Sequence, residues 1–433
     1  MNISTHLDVD LVAVESTDRV SLMVDITAPT SDAQKVRPGQ GIEIVLDRSG
    51  SMSGESLDSA KESILKLIDR LAPQDSFGLV SFDDTALIEI PFRTLAQHDI
   101  LIVKNIVANL NAGGSTDLAA GYLLGLRELK DHNKDGGAAI ILISDGHANA
   151  GEQSPTVLGD IATKASKSAI VTTTIGLGNG YDETLLEALS AGGGGSHRFA
   201  YTTDEAIAVI SSEVRNLLEK SAINLLLKVT PVAGLNASPH IEILQRLPFW
   251  QDNGSYFVQL GDMYSGENRR FMIDFDVPQI ASLGLATLAN IVIDYTNLVD
   301  MTEVSVTLPV QVNVVPDDLA QGRVIDPVVR AERLVLKAQA EKLLATEEIR
   351  SGKVKDAADR LNQTAKNLRS EVSSLDISNA RVKATVDSVH AEAVEMERLA
   401  KYAVEEDAHY SAKRNLESFS RMSRSKNFRE ENN

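Results

Sequence analysis

A chain of 433 residues has room for about three domains, and its 43% apolar and 24% charged residues are those of a folded protein, not a disordered one. Lys and Arg number 42 against 61 Asp and Glu, a net charge of −19 that repels nucleic acid and favours cations and basic partners. Cysteine is absent, which excludes disulfide scaffolds, thiol chemistry, cysteine-ligated zinc and iron–sulfur clusters. No run approaches the ~18 consecutive apolar residues of a membrane span, so membrane insertion is not expected. The opening MNISTHLDVDLVAV has no basic stretch leading into an apolar block, so a cytoplasmic protein is expected.

Residues 1–35 hold two alternating runs, Leu7, Val9, Leu11, Ala13 and Val20, Leu22, Val24, Ile26. Both predict half-buried antiparallel strands, and two strands alone need sheet partners elsewhere. From 36 to 220 the apolar runs 42–46, 77–82, 86–90, 138–144 and 169–175 alternate with helical patterns. One such pattern is Leu57, Ala60, Ile64, Leu67, Ile68 and Leu71, ended by Pro73. This alternation predicts an α/β unit, a doubly wound, Rossmann-like and mostly parallel sheet.

Residues 221–316 return to short strands at 223–229, 241–244, 256–260, 270–277, 287–295 and 303–315, which predict a β-sandwich. The two N-terminal strands would complete it, so the α/β domain is an insertion between parts of one sandwich. Residues 317–424 are helical. Val354, Ala358, Leu361, Ala365, Leu368 and Val372 form one stripe; Val382, Val386, Val389, Ala393, Met396 and Ala400 form the next. Gly352 suits the end of the helix before them. Short connections predict an antiparallel hairpin or bundle whose stripes form an internal core. Six basic residues from Lys413 to Arg429 lie among serines and read as a frayed, solvated end, with 425–433 as a tail.

Three segments carry chemistry. The first α/β strand runs into Asp47-Arg48-Ser49-Gly50-Ser51, and the 138–144 run ends in Ser144-Asp145-Gly146. Between them Gly113-Gly114-Ser115-Thr116-Asp117 opens a helix. Ligand sites in open α/β sheets lie beyond the carboxyl ends of the strands, so all three converge. Two carboxylates and three hydroxyls make an oxygen-only inventory, suited to a small hard cation. Neutral hydroxyls leave the ion's charge uncompensated, so it would attract a carboxylate from another molecule.

In these segments the chain, over roughly residues 38–218, resembles a von Willebrand factor type A domain with a metal-ion-dependent adhesion site. The resemblance implies Ser49, Ser51 and Thr116 as direct hydroxyl ligands, with Ser115 a rival for the role of Thr116. It implies Asp47 and Asp145 as ligands directly or through water. The expected metal is Mg²⁺, with Mn²⁺ or Ca²⁺ as alternatives. The expected partner is a protein supplying an Asp or Glu, and ligand binding would shift the helix at 204–219. Arg48 and Met52, at variable positions of the first loop, and His147 beside Asp145 are partner-contact candidates. The sandwich, with Gly261 to Glu267 entering one strand and Val277-Pro278 closing it, is similar to the region called Vwaint in cytoplasmic bacterial-type relatives. Some relatives are RING-bearing ubiquitin ligases; without cysteine that activity does not carry over.

Other signals read as structure. Gly176-Leu177-Gly178-Asn179-Gly180 has its third glycine one residue early for a dinucleotide fingerprint and reads as a tight loop. Gly192 to Gly195 reads as a connector, Asp83-Asp84 as a hairpin turn, and Ser63 with Lys66 as a chance Ser-x-x-Lys in mid-helix. The expected function is metal-dependent protein recognition by a scaffold without catalysis. The alternatives are a metal-dependent phosphoester hydrolase, or a structural subunit whose metal site is incidental. Partner, process and oligomeric state are left open.

Overall fold

The computed structural model describes the chain apart from residues 30–38, 133–137, 179, 219, 233–238, 246, 299, 301, 374, 376–378 and 424–433. Three strands open it, β1 (Asn2–Leu7), β2 (Leu11–Ala13) and β3 (Asp18–Thr27). The run from Leu7 to Ala13 is therefore two strands, not the single antiparallel one its alternation predicts. Asp8 is the reason. Its Oδ1 accepts from the Val9 amide at 2.8 Å and the Ser21 amide at 2.7 Å, which turns the chain out of β1. β1 pairs antiparallel with β3, whereas β2 joins another sheet in parallel.

The α/β unit follows. Its strands are β4 (Gly41–Asp47), β5 (Ser76–Phe82), β6 (Ala86–Thr94), β7 (Ala138–Ser144), β8 (Ile170–Leu177) and β9 (Gly194–Ala200). They lie in the order β6-β5-β4-β7-β8-β9, parallel except for the β5–β6 hairpin. Every residue of β4, β7 and β8 is buried, which is why those runs read as nearly continuous apolar sequence. The helices are α1 (Glu55–Ile68), α2 (Ile100–Ala108), α3 (Leu118–His132), α4 (Pro155–Ser166), α5 (Glu183–Gly192) and α6 (Thr203–Leu218). α1, α2 and α6 share a core on one face of the sheet; α3, α4 and α5 share another on the opposite face. Local sequence sets their starts: Ser154 caps α4 ahead of Pro155, and the Asp182 carboxylate accepts from the Thr184 and Leu185 amides of α5. The glycines at 192–195 connect α5 to the start of β9, the end of the sheet away from the strands' carboxyl ends.

The chain then returns to the sandwich through β10 (Lys220–Pro231), β11 (His240–Ile243), β12 (Phe249–Asp252), β13 (Ser255–Tyr264), β14 (Asn268–Val277), β15 (Gly284–Asn297) and β16 (Thr302–Val315). One sheet has the order β1-β3-β14-β11, the other β12-β13-β10-β15-β16-β2. Val20, Leu22, Val24 and Ile26 of β3 sit in one core with Leu225, Leu227, Phe271 and Ile291. The α/β unit is thus inserted into a sandwich whose first strands precede it. β12 is a strand the patterning does not predict; its signal is Asn253-Gly254, both at positive φ, in the two-residue turn to β13.

Among the described residues five helices follow, α7 (Asp317–Gln321), α8 (Pro327–Arg350), α9 (Val354–Val372), α10 (Ala380–Glu405) and α11 (Ala408–Ser423). Both predicted stripes are interior, packed with α8 and with Met23 and Met272 on the outer face of the four-stranded sheet. Gly352 stands at φ 78° just past α8, as its position predicts. The basic end is different from its prediction. Residues 413–423 are helical, and Lys413 is buried against the α/β unit; 425–433 lie outside the described residues. Among the described residues no helix is long and apolar enough to cross a membrane.

Candidate metal centre

Asp47 is the last residue of β4 and Ser144 the last of neighbouring β7, so both project from the same end of the sheet. Ser144 Oγ donates to Asp47 Oδ2 at 2.6 Å, and the other Asp47 oxygen accepts the Ser49 amide at 2.8 Å. These two bonds fix the carboxylate and fold the loop back over the strand end. Ser49 and Ser51 hydroxyls lie 3.1 Å apart, and Ser51 Oγ donates to Asp145 Oδ1 at 2.8 Å. The first and third segments are therefore in direct contact across 94 residues of sequence.

The middle segment is zipped on by backbone. Gly113 donates to the Arg48 carbonyl at 2.8 Å, and Gly50 donates to the Gly114 carbonyl at 3.1 Å. Gly114 stands at φ 76°, and a Cβ there would meet Asp84 Oδ1 at 2.5 Å, so a side chain is excluded on both counts. Asn149 holds the next residue: its Oδ1 accepts the Thr116 amide at 2.8 Å, and its own amide donates to the Thr116 carbonyl at 3.1 Å. Thr116 is buried and its Oγ1 lies on Gly146 with Ser51 Oγ and Asp47 Oδ2, whereas Ser115 is exposed. Of the two rivals, Thr116 is the one brought to the cluster.

All five sequence-derived site residues meet. Asp47, Ser49, Thr116 and Asp145 are buried and Ser51 is exposed, so the cluster is dry beneath and opens at Ser51. Burial raises the Asp47 carboxyl, and the charge of Asp145 raises it further against hydrogen bonds from Ser144 and Ser49. Burial likewise raises Asp145, against its bond from Ser51. Two desolvated carboxylates backed by hydroxyls fit a hard divalent cation, which would offset both shifts. The described residues hold no group of three or more His, Asp and Glu arranged for a metal, so a cation here would rely on the hydroxyls.

The contact candidates separate. His147 is exposed beside Asp145. Arg48 is drawn inward, its guanidinium 2.7 Å from Asp83 Oδ2 and its Nε 3.1 Å from Ser81 Oγ, so it ties the first loop to the β5–β6 turn. Met52 is a correction: it is fully buried in the core beneath α1, because the short helical turn at 50–52 points its side chain inward. Sequence reasoning missed Asp83 and Asn149. Asp83 is in the predicted hairpin turn, yet it pairs with Arg48, and its carbonyl accepts the Asp117 amide at 2.7 Å. Asn149 lies in the Ile143–Gly151 stretch that carries Asp145, but nothing in the sequence pairs it with Thr116, 33 residues away.

With this geometry in view, comparison with known proteins is consistent across sequence and fold. Residues 42–213 match the family model of the von Willebrand factor type A domain, and that part of the chain has its fold. Protein sll0103 from Synechocystis is 26% identical over 372 residues, 83% of this chain and 85% of its own length. Human inter-alpha-trypsin inhibitor heavy chain H4 is 26% identical over 176 residues, 39% of this chain and 19% of its own. Among solved structures, a von Willebrand factor type A protein from Catenulispora acidiphila aligns over 99% of this chain and 97% of its own, with a TM-score of 0.74 at 14% identity. The ArnB paralog VWA2 from Sulfolobus acidocaldarius aligns over 96% and 97%, with a TM-score of 0.64 at 16% identity. At those identities the likeness concerns the fold, and it extends to the sandwich and helices.

Proposed function

We propose that the chain is a metal-dependent protein-binding scaffold, not an enzyme, whose adhesion site is Asp47, Ser49, Ser51, Thr116 and Asp145. The observation that carries this reading is the meeting of three hydroxyls and two buried carboxylates from three distant segments at one strand end. The metal, Mg²⁺ in this reading, supplies an electrophilic point that a carboxylate can complete. The chain's own residues hold and orient: Ser144 and the Ser49 amide fix Asp47, Asn149 fixes Thr116, and Ser51 bonds to Asp145. A partner's Asp or Glu would approach over the open side at Ser51, with His147 on the rim. Arg48 is engaged by Asp83, which leaves no cation of the first loop free to cradle a phosphate and favours recognition over hydrolysis. In the same reading the sandwich is of the Vwaint kind and the site of action is the cytoplasm, which fractionation of source cells checks.

The test retains proteins from source lysate on wild type and on Asp47→Ala, each with Mg²⁺ and with EDTA. The expected result is at least one protein held only by wild type with Mg²⁺. Retention of the same proteins in all four conditions would remove the metal site as the contact.

A further inference from the structure

α11 is the last described helix of the helical module, yet it seats on the α/β unit at two places, the first of which runs on to the metal centre. The first is the segment following β8. Lys413 Nζ donates to the Tyr181 carbonyl at 2.9 Å and lies 3.8 Å from the centroid of the Tyr181 ring. Glu183 Oε2 is 3.9 Å away. Tyr181 is itself fully buried, its ring centroid 5.7 Å from that of His197 and 5.8 Å from that of Phe199. The residue before it, Gly180, presses on the third metal loop: a Cβ at Gly180 would come within 2.8 Å of the Asp145 carbonyl oxygen. Lys413, Tyr181, Gly180 and Asp145 are thus a continuous line of contact.

The second place is the start of α6. Arg414 Nη2 lies 2.8 Å from both oxygens of Glu205 in the first turn of α6, and Glu205 also accepts the Tyr201 amide at 2.8 Å. The Arg414 guanidinium stacks 4.8 Å from the centroid of Phe199. Further along, Arg198 of β9 joins the two helices, 3.1 Å from Glu213 of α6 and 3.4 Å from Glu417 of α11. A contact that served adhesion alone would be made as well by an apolar side chain, because a buried ammonium carries a desolvation cost. That cost is visible here: burial pulls the Lys413 ammonium down to about 8 although Glu183, Asp182 and Asp407 pull it up.

We propose that Lys413 and Arg414 are positioning residues of the metal centre, through which the seating of α11 sets the placement of Asp145 and of α6. The inference rests on the metal-site reading above. Coupling of this kind is reciprocal: if seated α11 favours metal, metal must favour seated α11. A residue two contacts removed from a ligand should act more weakly than partners touching one, whose loss costs roughly 10–100-fold in metal affinity.

The experiment uses the full chain and Mn²⁺ as probe. Amide hydrogen exchange is followed with and without Mn²⁺, and Mn²⁺ affinity is measured by electron paramagnetic resonance for wild type and Lys413→Met. The expected result is Mn²⁺-dependent protection at 47–51, 113–117 and 145–149, and also at 180–186 and 408–418. Lys413→Met should bind Mn²⁺ about threefold to tenfold more weakly while keeping the wild-type exchange pattern in β4 and β7. Protection confined to the three ligand loops, or unchanged affinity in a folded Lys413→Met, overturns the inference and leaves the metal site standing. No protection in the ligand loops overturns the metal-site reading itself, and this inference with it. Should Lys413→Met not fold, the exchange comparison on wild type decides alone.

Discussion

Glu43 lies in the middle of β4, on the same strand that ends in Asp47, and is fully buried with neither carboxyl oxygen hydrogen-bonded. Burial, and then the charge of Glu128, hold its carboxyl well above the ordinary value of 4.5. The unfolded chain therefore loses this proton at lower pH than the folded one does. Stability from this group is greatest below the unfolded value and falls as pH rises above it. Glu43→Gln cannot ionise, so its melting temperature relative to wild type should climb as pH rises above 4.5. A difference that is flat with pH, read by thermal unfolding across that range, would contradict the assignment. The site residues illustrate the same scale. Asp47, Ser49, Ser51, Thr116 and Asp145 are legible as motif letters, but Met52 is not, because a three-residue helical turn decides which way it faces.

At the level of elements, periodicity was most reliable where one face is buried and the other wet. The α9 stripe is entirely interior except for partly buried Val354, and Leu361 sits at its centre with no exposure. Leu361→Ala should cost about 2–5 kcal/mol, the range for a cavity in a well-packed core. Urea unfolding followed by circular dichroism checks it; a change under about 1 kcal/mol would mean that α9 repacks freely. Period-two alternation misled at Leu7 to Ala13, where the same pattern spans two strands in two sheets. Alternation reports which face is buried and carries no information about which sheet does the burying. α11 is the opposite case: its basic residues read as a solvated tail, yet aromatic and acidic surfaces of the α/β unit bury Lys413 and partly bury Arg414.

At the scale of the whole molecule, the three units are interlocked. β3 is flanked by β1 and β14 inside the four-stranded sheet, with its inner face in the sandwich core and Met23 on its outer face against the helices. Tyr264, in the sandwich strand β13, lies in the core of the α/β unit. At that junction Lys220 pairs with Asp262 at 2.8 Å and Arg269 with Glu267 at 2.7 Å, all four buried. Removing residues 1–27 would open two cores at once. The expected outcome is that limited proteolysis cuts rapidly within 220–423 while a fragment spanning 39–218 persists. Equal resistance of both regions would show that β3 is dispensable.

What the sequence determined by itself was local and chemical: the alternation of strands and helices, the apolar stripes, the turn at Gly352, and the oxygen donors grouped at strand ends. These follow from short-range geometry, since side-chain period and backbone freedom are properties of neighbouring residues. Only the tertiary structure decided that Asn149 holds Thr116, that Asp83 draws Arg48 away from the rim, and that α11 seats against the segment behind Asp145. Each joins residues between 33 and 232 positions apart, and their pairing depends on how the units pack, which no local pattern encodes.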